Sequence, residues 1–491
     1  MSQNTGEHLI EEAREVQSMD SSLALSSAPS PLNIPELLRK IIEILPVKDA
    51  VSAARVCRAW KEPALDRIWH SINSLVPLLR LIGRMVRGRD GAWTFRHDIK
   101  DADWSRYEAY APRIREVHIQ DFDRKMRIST QCRDNILDYL PPHLSLPCPV
   151  SVSLLATAPA AETLMVLPLI SQSLRRLTVL QVTFVLVGAA PGFRELMETI
   201  MEAVMNAAAQ LDEPCLEELK LRSVFGEAAF TEAFNACLVK HSTRLTTLMA
   251  KFPFNAQVWA TVFSLPALQA LDIAPLKFIE LATSEEIVPM IQPLVENLLQ
   301  LKSLELDLPL SEETSQSNSP YSQIIHDLMG LRNLETLILH ITLPLSLTES
   351  EVQEMGESWP KMRILQFDHE SNWTGIHGLR FRVAPQSDLS LLPSFLRGLP
   401  CLEDLCVPFV CDKPLTAPPE GFPESPLRTL DVGACPKPKL SPEEMTAYLA
   451  FVLPQAARVK YRNIYGPGNG GPRGGFWALV ARELTKLREA A

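Results

Sequence analysis

The segment Leu301-Lys302-Ser303-Leu304-Glu305-Leu306 has leucine at the first, fourth and sixth of its six positions. Alternation of apolar and polar residues at its last positions is typical of a short β-strand with one buried face. A weaker copy of the pattern lies at Leu245 and Leu248. The full apolar-x-x-apolar-x-apolar unit recurs as Ile114/Val117/Ile119, Leu174/Leu177/Val179, Leu216/Leu219/Leu221, Leu268/Leu271/Ile273, Leu334/Leu337/Leu339, Met362/Leu365/Phe367, Leu402/Leu405/Val407 and Leu427/Leu430/Val432.

The stretches between these strand units have the apolar spacing of helices, for example residues 193–208, 288–299 and 321–329. Strand and helix in repeated alternation predict a solenoid, in which each unit buries its apolar face against its neighbours. Chance is the alternative explanation, because the chain is 46% hydrophobic. We favour the solenoid because the aligned units each precede a polar or proline-containing break.

The strand units are similar to leucine-rich repeats of irregular register. After Leu174 the units begin about 23 to 42 residues apart, whereas regular leucine-rich repeats have periods of roughly 20 to 29 residues. The Asn or Cys that usually stands three positions after the last apolar residue is missing from most units, and Pro309, Thr342 and Glu370 occupy such positions. The resemblance implies an α/β fold of parallel strands with outer helices.

Upstream of the repeats, residues 33–69 carry three short amphipathic patterns. Pro35 suits the first turn of a helix, and Pro46 ends the first pattern. We expect a first helix with Leu37, Leu38, Ile41, Ile42 and Leu45, a second with Ala50, Ala53, Val56, Cys57 and Trp60 along one stripe, and a third with Leu65, Ile68 and Trp69. Three such short helices bury little surface among themselves, so their apolar stripe is a candidate interface.

These helices resemble the F-box family over about a tenth of the chain, on the residues Ile34-Pro35-Glu36-Leu37-Leu38, Ile42, Leu45, Asp49, Val56-Cys57-Arg58, Trp60 and Trp69. Residues 74–79 and the aromatic residues of 104–110 are similar to fungal F-box proteins of the leucine-rich-repeat type. The resemblance implies a surface for the Skp-type adaptor of an SCF ubiquitin ligase, formed by Ile34, Pro35, Leu38, Ile42, Leu45, Val56, Cys57 and Trp60. The alternative is that these side chains only form a small helical core.

Composition argues against several other classes of protein. Asp and Glu number 58 against 48 Lys and Arg, and this excess of negative charge argues against nucleic acid as a partner. The nine cysteines are scattered and odd in number, which predicts reduced thiols. Neither an export signal nor an apolar run of membrane-spanning length is visible, so we expect no membrane partner and a cytoplasmic or nuclear location.

Catalytic motifs are weak throughout the sequence. The Gly-rich stretch 466–475 contains two prolines and lacks the Gly-Lys-Ser/Thr ending of a phosphate-binding loop. Cys401, Cys406 and Cys411 do not have the spacing of a metal-binding pair, and we expect His340 and His369 to be solvated side chains at strand ends. The sequence contains no His-Glu-x-x-His and no Gly-x-Ser-x-Gly motif. We therefore predict no enzyme activity, no cofactor and no metal site.

Charged residues at the polar strand positions indicate where a target would bind. Because strand side chains alternate, these positions should project from the concave face of the solenoid. Early units offer Arg176, Lys220, Arg222 and Lys251, and later units offer Asp272, Glu305, Asp307, Asp368, Asp404 and Asp431. The later residues predict an acidic target-binding strip, and ordinary solvated charge is the alternative.

The predicted domain plan is a disordered tail at 1–30, an F-box at 31–72, a helical connector at 73–110, a leucine-rich-repeat solenoid at 111–465, and a Gly-rich loop with a C-terminal capping helix at 466–491. This plan indicates the substrate-recognition subunit of an SCF-type ubiquitin ligase. Such a subunit is linked through its adaptor to a cullin scaffold and binds an unknown protein target through its repeats. The alternative is a leucine-rich-repeat scaffold protein that is not engaged with a ubiquitin ligase.

Overall fold

The computed structural model describes residues 34–89, 91–99, 103–120, 128–141, 149–156, 170–181, 193–222, 230–252, 254–273, 284–308, 320–341, 345–368, 387–411, 415, 425–432, 439–461 and 473–490. The predicted tail at 1–30 lies outside these residues, as do His369 and residues 466–472 of the Gly-rich stretch.

The chain divides into two compact units. The first unit comprises Met1–Thr183, Gly188–Lys220 and Glu232–His241, and the second comprises Phe184–Val187, Leu221–Thr231 and Ser242–Ala491. Each unit contains its own run of neighbouring parallel strands.

The first unit begins with three helices and continues with alternating strands and helices. Its helices are α1 (Pro35–Ile44), α2 (Val47–Ala54), α3 (Arg58–Trp69), α4 (Val76–Leu79), α5 (Ser105–Tyr110), α6 (Thr130–Tyr139), α7 (Phe193–Ala209) and α8 (Thr231–His241), with a 3₁₀ turn at Ala111–Arg113. Its strands are β1 (Ser71–Ile72), β2 (Met85–Arg87), β3 (Trp93–Phe95), β4 (Glu116–Gln120), β5 (Ser151–Ala156), β6 (Arg176–Gln181) and the first three residues of β7 (Glu218–Arg222), whose last two residues belong to the second unit.

The second unit alternates strands with helices to its end. Its strands are β8 (Thr247–Lys251), β9 (Ala270–Ile273), β10 (Ser303–Leu308), β11 (Thr336–Ile341), β12 (Ile364–Asp368), β13 (Ser387–Asp388), β14 (Asp404–Cys406), β15 (Phe409–Val410), β16 (Thr429–Asp431) and β17 (Arg458–Lys460). Its helices are α9 (Ala256–Phe263), α10 (Ser284–Asn297), α11 (Pro320–Leu328), α12 (Glu349–Ser358), α13 (Leu392–Gly398), α14 (Pro442–Val452) and α15 (Arg473–Ala490), with a 3₁₀ turn at Leu389–Leu391.

The leucines of the strand units lie side by side in the parallel sheet. Leu304 of β10 is paired in register with Leu271 of β9 and Leu337 of β11, and all three side chains are buried. The parallel pairing continues from β11 through β12, β14 and β16 to β17. The predicted fold class, parallel strands that alternate with helices after an N-terminal helical group, is confirmed.

Strand β5 was not predicted because proline occupies the first apolar position of its unit. Pro149, Val152 and Leu154 have the same spacing as the other units, and all three are buried. Proline is tolerated here because Pro149 precedes the strand and need not donate a ladder hydrogen bond. A search for the unit that accepted proline at its first position would have found this strand.

Trp69 joins the N-terminal helices to the sheet. It is the last residue of α3, and the next residues pair with β4 in the register Ser71↔Glu116 and Ile72↔Val117. Trp69, Ile72 and Ser74 thus form the first strand unit, and all three are buried. The sequence pattern missed this unit because serine stands at its last apolar position.

The second helix is shorter than predicted. Helix α2 ends at Ala54, Cys57 has an extended backbone with φ −161° and ψ 172°, and Trp60 lies on α3. The expected single stripe through Val56, Cys57 and Trp60 is therefore wrong. The break allows α3 to fold back on α2, and this packing buries Ala54 with residues of α1 and α3.

The segment 73–110 is not wholly helical, because β2 and β3 form an antiparallel hairpin between α4 and α5. Gly91 lies between the two strands with φ 80°, a backbone region that residues with a side chain rarely adopt. Trp93 of β3 is buried, and the Arg80 guanidinium lies 4.3 Å from its ring centroid. Strands of three residues are too short to show a sequence period, and this is why the hairpin was not predicted.

The boundaries of the predicted domain plan remain predictions.

His241 is a buried polar residue of the first unit. Its Nδ1 accepts a hydrogen bond of 3.1 Å from the backbone N–H of Cys215, and its Nε2 lies 3.0 Å from the carbonyl oxygen of Ala208. This arrangement requires the neutral tautomer with the proton on Nε2. Burial is the main cause that lowers the pKa of His241. The imidazole therefore joins the end of α8 to the segment after α7 without carrying a charge.

Helices α12 and α13 of the second unit approach closely at two glycines. A Cβ added to Gly356 would lie 2.4 Å from the carbonyl oxygen of Gly398, whereas a Cβ added to Gly398 would lie 3.4 Å from its nearest neighbour, the carbonyl oxygen of Val352. The contact therefore has room for an added methyl group at Gly398 of α13 but not at Gly356 of α12.

We predict different effects on stability for alanine at these two positions. Gly356→Ala should lower the free energy of unfolding by about 1–3 kcal/mol, because backbone atoms cannot move aside as a side chain can. Gly398→Ala should be neutral or should stabilise by up to about 1 kcal/mol through helix propensity. Urea denaturation of both variants tests this prediction, and equal effects would contradict it.

Candidate functional site

The three N-terminal helices share a small core. Leu38 and Ile42 of α1 are 2% and 1% exposed and pack with Ala53, Ala54 and Ala64. Both residues were predicted to contact an adaptor, and the structure places them inside the helical group. Their position fixes α1 against the other two helices, and their role in adaptor binding remains a prediction.

Other apolar residues of the same helices face outward. Eleven large apolar side chains are exposed in the part of the chain that the structure describes, and five of them lie between residues 34 and 56. These five, with their exposed fractions, are Ile34 (46%), Leu37 (46%), Ile44 (81%), Val47 (37%) and Val56 (65%). We call this set the apolar surface of the N-terminal helices. Such a concentration of exposed apolar side chains is typical of a protein interface.

The predicted adaptor-binding residues thus separate into three groups. Ile34, Pro35, Val56 and Cys57 are exposed, Leu45 and Trp60 are half-buried against the helical core, and Leu38 and Ile42 are buried. Leu37, Ile44 and Val47 are also exposed but were not among the predicted adaptor-binding residues.

Helical spacing was a signal that could have identified part of the missed surface. Ile34, Leu37, Ile41 and Ile44 follow one another at intervals of three or four residues, so they share one side of α1. This stripe lies beside the buried stripe of α1 that contains Leu38 and Ile42.

The N-terminal helices are held to the first strands by polar and aromatic contacts. Arg113, in the 3₁₀ turn before β4, contacts the carboxylates of Glu62 and Asp66 on α3. The ring of Trp69 lies 4.9 Å from that of Tyr110. These contacts hold the end of α3 against the segment before β4. The helices that carry the apolar surface are therefore fixed within the first unit.

A network of ionisable side chains lies on the polar face of the second unit, which we define as the strand positions that alternate with the buried leucines. Lys251 Nζ lies 3.2 Å from Glu305 Oε1 and 3.4 Å from Asp307 Oδ2. Lys251 also contacts the carboxylate of Asp272. His340 Nε2 lies 3.0 Å from Glu305 Oε1 and 3.6 Å from Asp307 Oδ1.

Burial and charge act in opposition on the pKa values of this network. Burial raises the pKa of Asp272 to about 6 and outweighs the opposite effect of Lys251. Burial also disfavours the charged form of Glu305, but the hydrogen bond from His340 and the charge of Lys251 lower its pKa to about 2. Burial lowers the pKa of His340, whereas the hydrogen bond to Glu305 and the charge of Asp307 raise it by more. Its pKa therefore lies above the ordinary value of 6.5.

The predicted acidic strip is partly neutralised. Asp272, Glu305 and Asp307 come together, but they surround Lys251. Asp404 and Asp431 are half-exposed on β14 and β16. Asp368 ends β12, and its side chain lies outside the described part of the chain, as does that of Arg222 on β7. Their role in target binding remains a prediction.

The basic residues expected in the first unit are paired with glutamates. Arg176 on β6 lies 3.3 Å from Glu116 on β4, and Lys220 lies 2.5 Å from Glu218 on the same strand. Both pairs reduce the positive charge that this part of the sheet was expected to present.

Four residues that the sequence analysis considered for chemistry lie in the described part of the chain: His340, Cys401, Cys406 and Cys411. The expectation for His340 is wrong, because its side chain is only 13% exposed and is not solvated. The prediction failed because its carboxylate partners lie on another strand. Cys401 is exposed, whereas Cys406 and Cys411 are buried. Within the described residues, no group of His, Cys, Asp or Glu is arranged to hold a metal ion, and no helix is long and apolar enough to cross a membrane.

Residues 35–74 match the F-box-like family. The match begins with α1 and extends through α2, α3 and β1, so this part of the chain is an F-box-like domain. The predicted resemblance is confirmed at this level, and the fungal type remains a prediction. No curated protein sequence matches the chain.

Three solved structures are similar in their chain path. A chain of the yeast Rad7 and Elc1 complex is 13% identical, with a TM-score of 0.39 and coverage of 89% of this chain and 91% of that chain. The leucine-rich repeat-containing protein LegL7 from Legionella pneumophila is 11% identical, with a TM-score of 0.26 and coverage of 52% and 83%. An internalin from Listeria monocytogenes is 10% identical, with a TM-score of 0.24 and coverage of 64% and 83%. These similarities are weak and carry no functional argument.

We predict that Lys251 is far more important for stability than Lys220. Lys251→Met leaves three close carboxylates without their shared cation and should lower the free energy of unfolding by about 3–5 kcal/mol. Lys220→Met removes an ion pair within one strand at a side chain that is 38% exposed, and its cost should stay below about 1 kcal/mol. Urea denaturation at neutral pH compares the two variants. Equal losses would show that the network around Lys251 contributes no more than a surface pair.

Proposed function

We propose that this chain is the substrate-recognition subunit of an SCF-type ubiquitin ligase. In this proposal the F-box-like domain binds a Skp-type adaptor, which connects the chain to a cullin scaffold. The strand repeats bind a protein target, and the chain itself catalyses no reaction and uses no cofactor. One observation carries the proposal: the residues that match the F-box-like family, together with adjacent Ile34, hold five of the eleven exposed large apolar side chains of the described residues.

Exposure of these side chains is costly unless a partner covers them. Complete burial of a leucine or isoleucine side chain contributes about 1.5–3 kcal/mol. Ile44 and Val56 are 81% and 65% exposed, so most of this free energy is still available to a bound adaptor. The core of Leu38 and Ile42 holds α1 in place beneath the surface. The adaptor interface that we propose therefore consists of exposed residues supported by buried ones.

Leu37→Glu should weaken adaptor binding without harming the fold. Leu37 is the third residue of α1, where a glutamate interacts favourably with the helix dipole. Loss of a central interface residue costs about 2 kcal/mol or more, which corresponds to roughly 30-fold weaker binding. Calorimetric titration of the full chain with a purified Skp-type adaptor measures this effect. Trp60 is a less decisive position, because its side chain also packs against the helical core.

Leu137→Glu is the matched control for this experiment. Leu137 is 49% exposed on α6, close to the 46% of Leu37. It lies near the C-terminal end of its helix, where a glutamate interacts unfavourably with the helix dipole. Leu137→Glu should therefore destabilise the fold at least as much as Leu37→Glu. The control variant should bind the adaptor as the unchanged chain does. Failure of the unchanged chain to bind any Skp-type adaptor would support the scaffold function instead.

The proposed target surface is the polar face of the second unit. Its predicted residues are Asp272, Glu305, Asp307, Asp368, Asp404 and Asp431. An excess of carboxylates favours a basic segment of a target, with an attraction that falls as salt concentration rises. Glu305 and Asp307 also stabilise the network around Lys251, so they are poor positions for a test by charge reversal.

The double variant Asp404→Lys/Asp431→Lys should lose target capture and retain adaptor binding. Its control is Glu354→Lys, which reverses an exposed charge on α12. Proximity labelling in cells compares the proteins marked by the two variants and by the unchanged chain. The same labelled proteins with the double variant, once its folding is confirmed, would show that these carboxylates are only a solvated surface.

A further inference from the structure

One carboxylate oxygen on the polar face is shared by two basic side chains from different strands. Glu305 Oε1 on β10 lies 3.2 Å from Lys251 Nζ on β8 and 3.0 Å from His340 Nε2 on β11. Asp307 contacts the same two bases at 3.4 Å and 3.6 Å. Asp272 on β9 completes the network through Lys251. The ionisable groups therefore connect four consecutive strands.

The net charge of the network depends on one proton. Three carboxylates and one ammonium leave two negative charges uncompensated when His340 is neutral. Protonation of His340 leaves one uncompensated negative charge. On the next strand, the backbone of Asp368 is paired in register with that of His340.

We propose that His340 is a proton-operated charge switch that sets how strongly the polar face binds a cationic segment of its target. This inference rests on the proposed target surface and adds its regulation. With His340 protonated, the positive charge of the imidazolium partly compensates the nearby carboxylates and weakens the attraction of the face for a cationic partner. With His340 neutral, the face carries one more uncompensated negative charge and binds the cationic segment more tightly.

The switch acts through charge and not through rearrangement. Neutral imidazole retains one N–H, so Nε2 can still donate to Glu305 after the proton is lost. The strand pairing on both sides of His340 uses backbone groups that do not titrate. The hydrogen bond to Glu305 and the charge of Asp307 raise the pKa of His340 above its ordinary value, so the ring keeps its proton to a higher pH than a free imidazole does. The pKa of Asp272 is about 6, so the pH comparison is made above that value.

Binding of a fluorescein-labelled nona-arginine peptide to the full chain tests the switch. The guanidinium groups of the probe stay charged throughout, and the comparison with His340→Gln removes the pH dependence of the fluorescein label, which is the same for every variant. Fluorescence anisotropy at fixed ionic strength should give roughly threefold to tenfold tighter binding at about pH 9 than at about pH 7. His340→Gln retains a neutral donor and should bind with the high-pH affinity at both values. His326→Gln alters a side chain that is 68% exposed on α11 and should behave as the unchanged chain.

The outcomes separate the two proposals. Equal binding by the unchanged chain at both pH values, or full pH dependence in His340→Gln, would overturn the switch and leave the cationic target surface standing. Absence of peptide binding by every variant at both pH values would overturn the cationic target surface and the switch with it. Histidine NMR signals of the unchanged chain, assigned by comparison with His340→Gln, provide a second measurement. A pKa of His340 below its ordinary range would also refute the switch.

Discussion

Each strand of this protein depends on its neighbours for both its backbone hydrogen bonds and its apolar side chains. A lone strand leaves its N–H and C=O groups unpaired and its leucines in water, and each unit of a repeat fold removes these costs only by stacking. Leu304 illustrates the constraint, because it is buried between Leu271 and Leu337 on the adjacent strands. The rest of the structure follows from this pairing. One face of the strands is buried, as Leu304 and Leu306 show, and the other face carries polar residues such as Glu305.

The same constraint determines how the F-box-like domain is attached. Its third helix ends at Trp69, which is already the first apolar position of a strand unit. The domain thus shares a core residue with the sheet of the first unit. Its own core relies on small alanines such as Ala53 and Ala64, and three short helices cannot cover every apolar residue they carry. The uncovered residues form the apolar surface on which the proposed adaptor interaction depends.

Parallel pairing also creates the ionic network of the second unit. Residues at equivalent positions of successive strands stand side by side, so charges far apart in sequence become close neighbours. Lys251 and Asp307 are 56 residues apart in the chain and 3.4 Å apart in the fold. A buried network of this kind adds little stability compared with apolar packing, but removal of one partner is costly. Its position on the polar face links the stability of the sheet to the charge that a target would meet.

The sequence by itself determined the features that depend on local periodicity. Alternation within six residues identified β10 and most other strands, because the buried face of a strand is set by a period of two. It also identified three helices at the N-terminus and their resemblance to an F-box. Where the period was interrupted, as by Pro149 in β5, the strand was missed.

Only the tertiary structure decided which members of a pattern are buried and which charges meet. Leu37 and Leu38 are adjacent leucines of one helix, and packing by α2 and α3 left one exposed and buried the other. His340 follows an ordinary strand pattern, yet its partner Glu305 is brought to it by the register of β10 and β11. Helical spacing assigns Leu37 and Leu38 to different stripes, but which stripe is buried depends on how the helices pack. Ion pairs between distant strands likewise depend on the register of those strands.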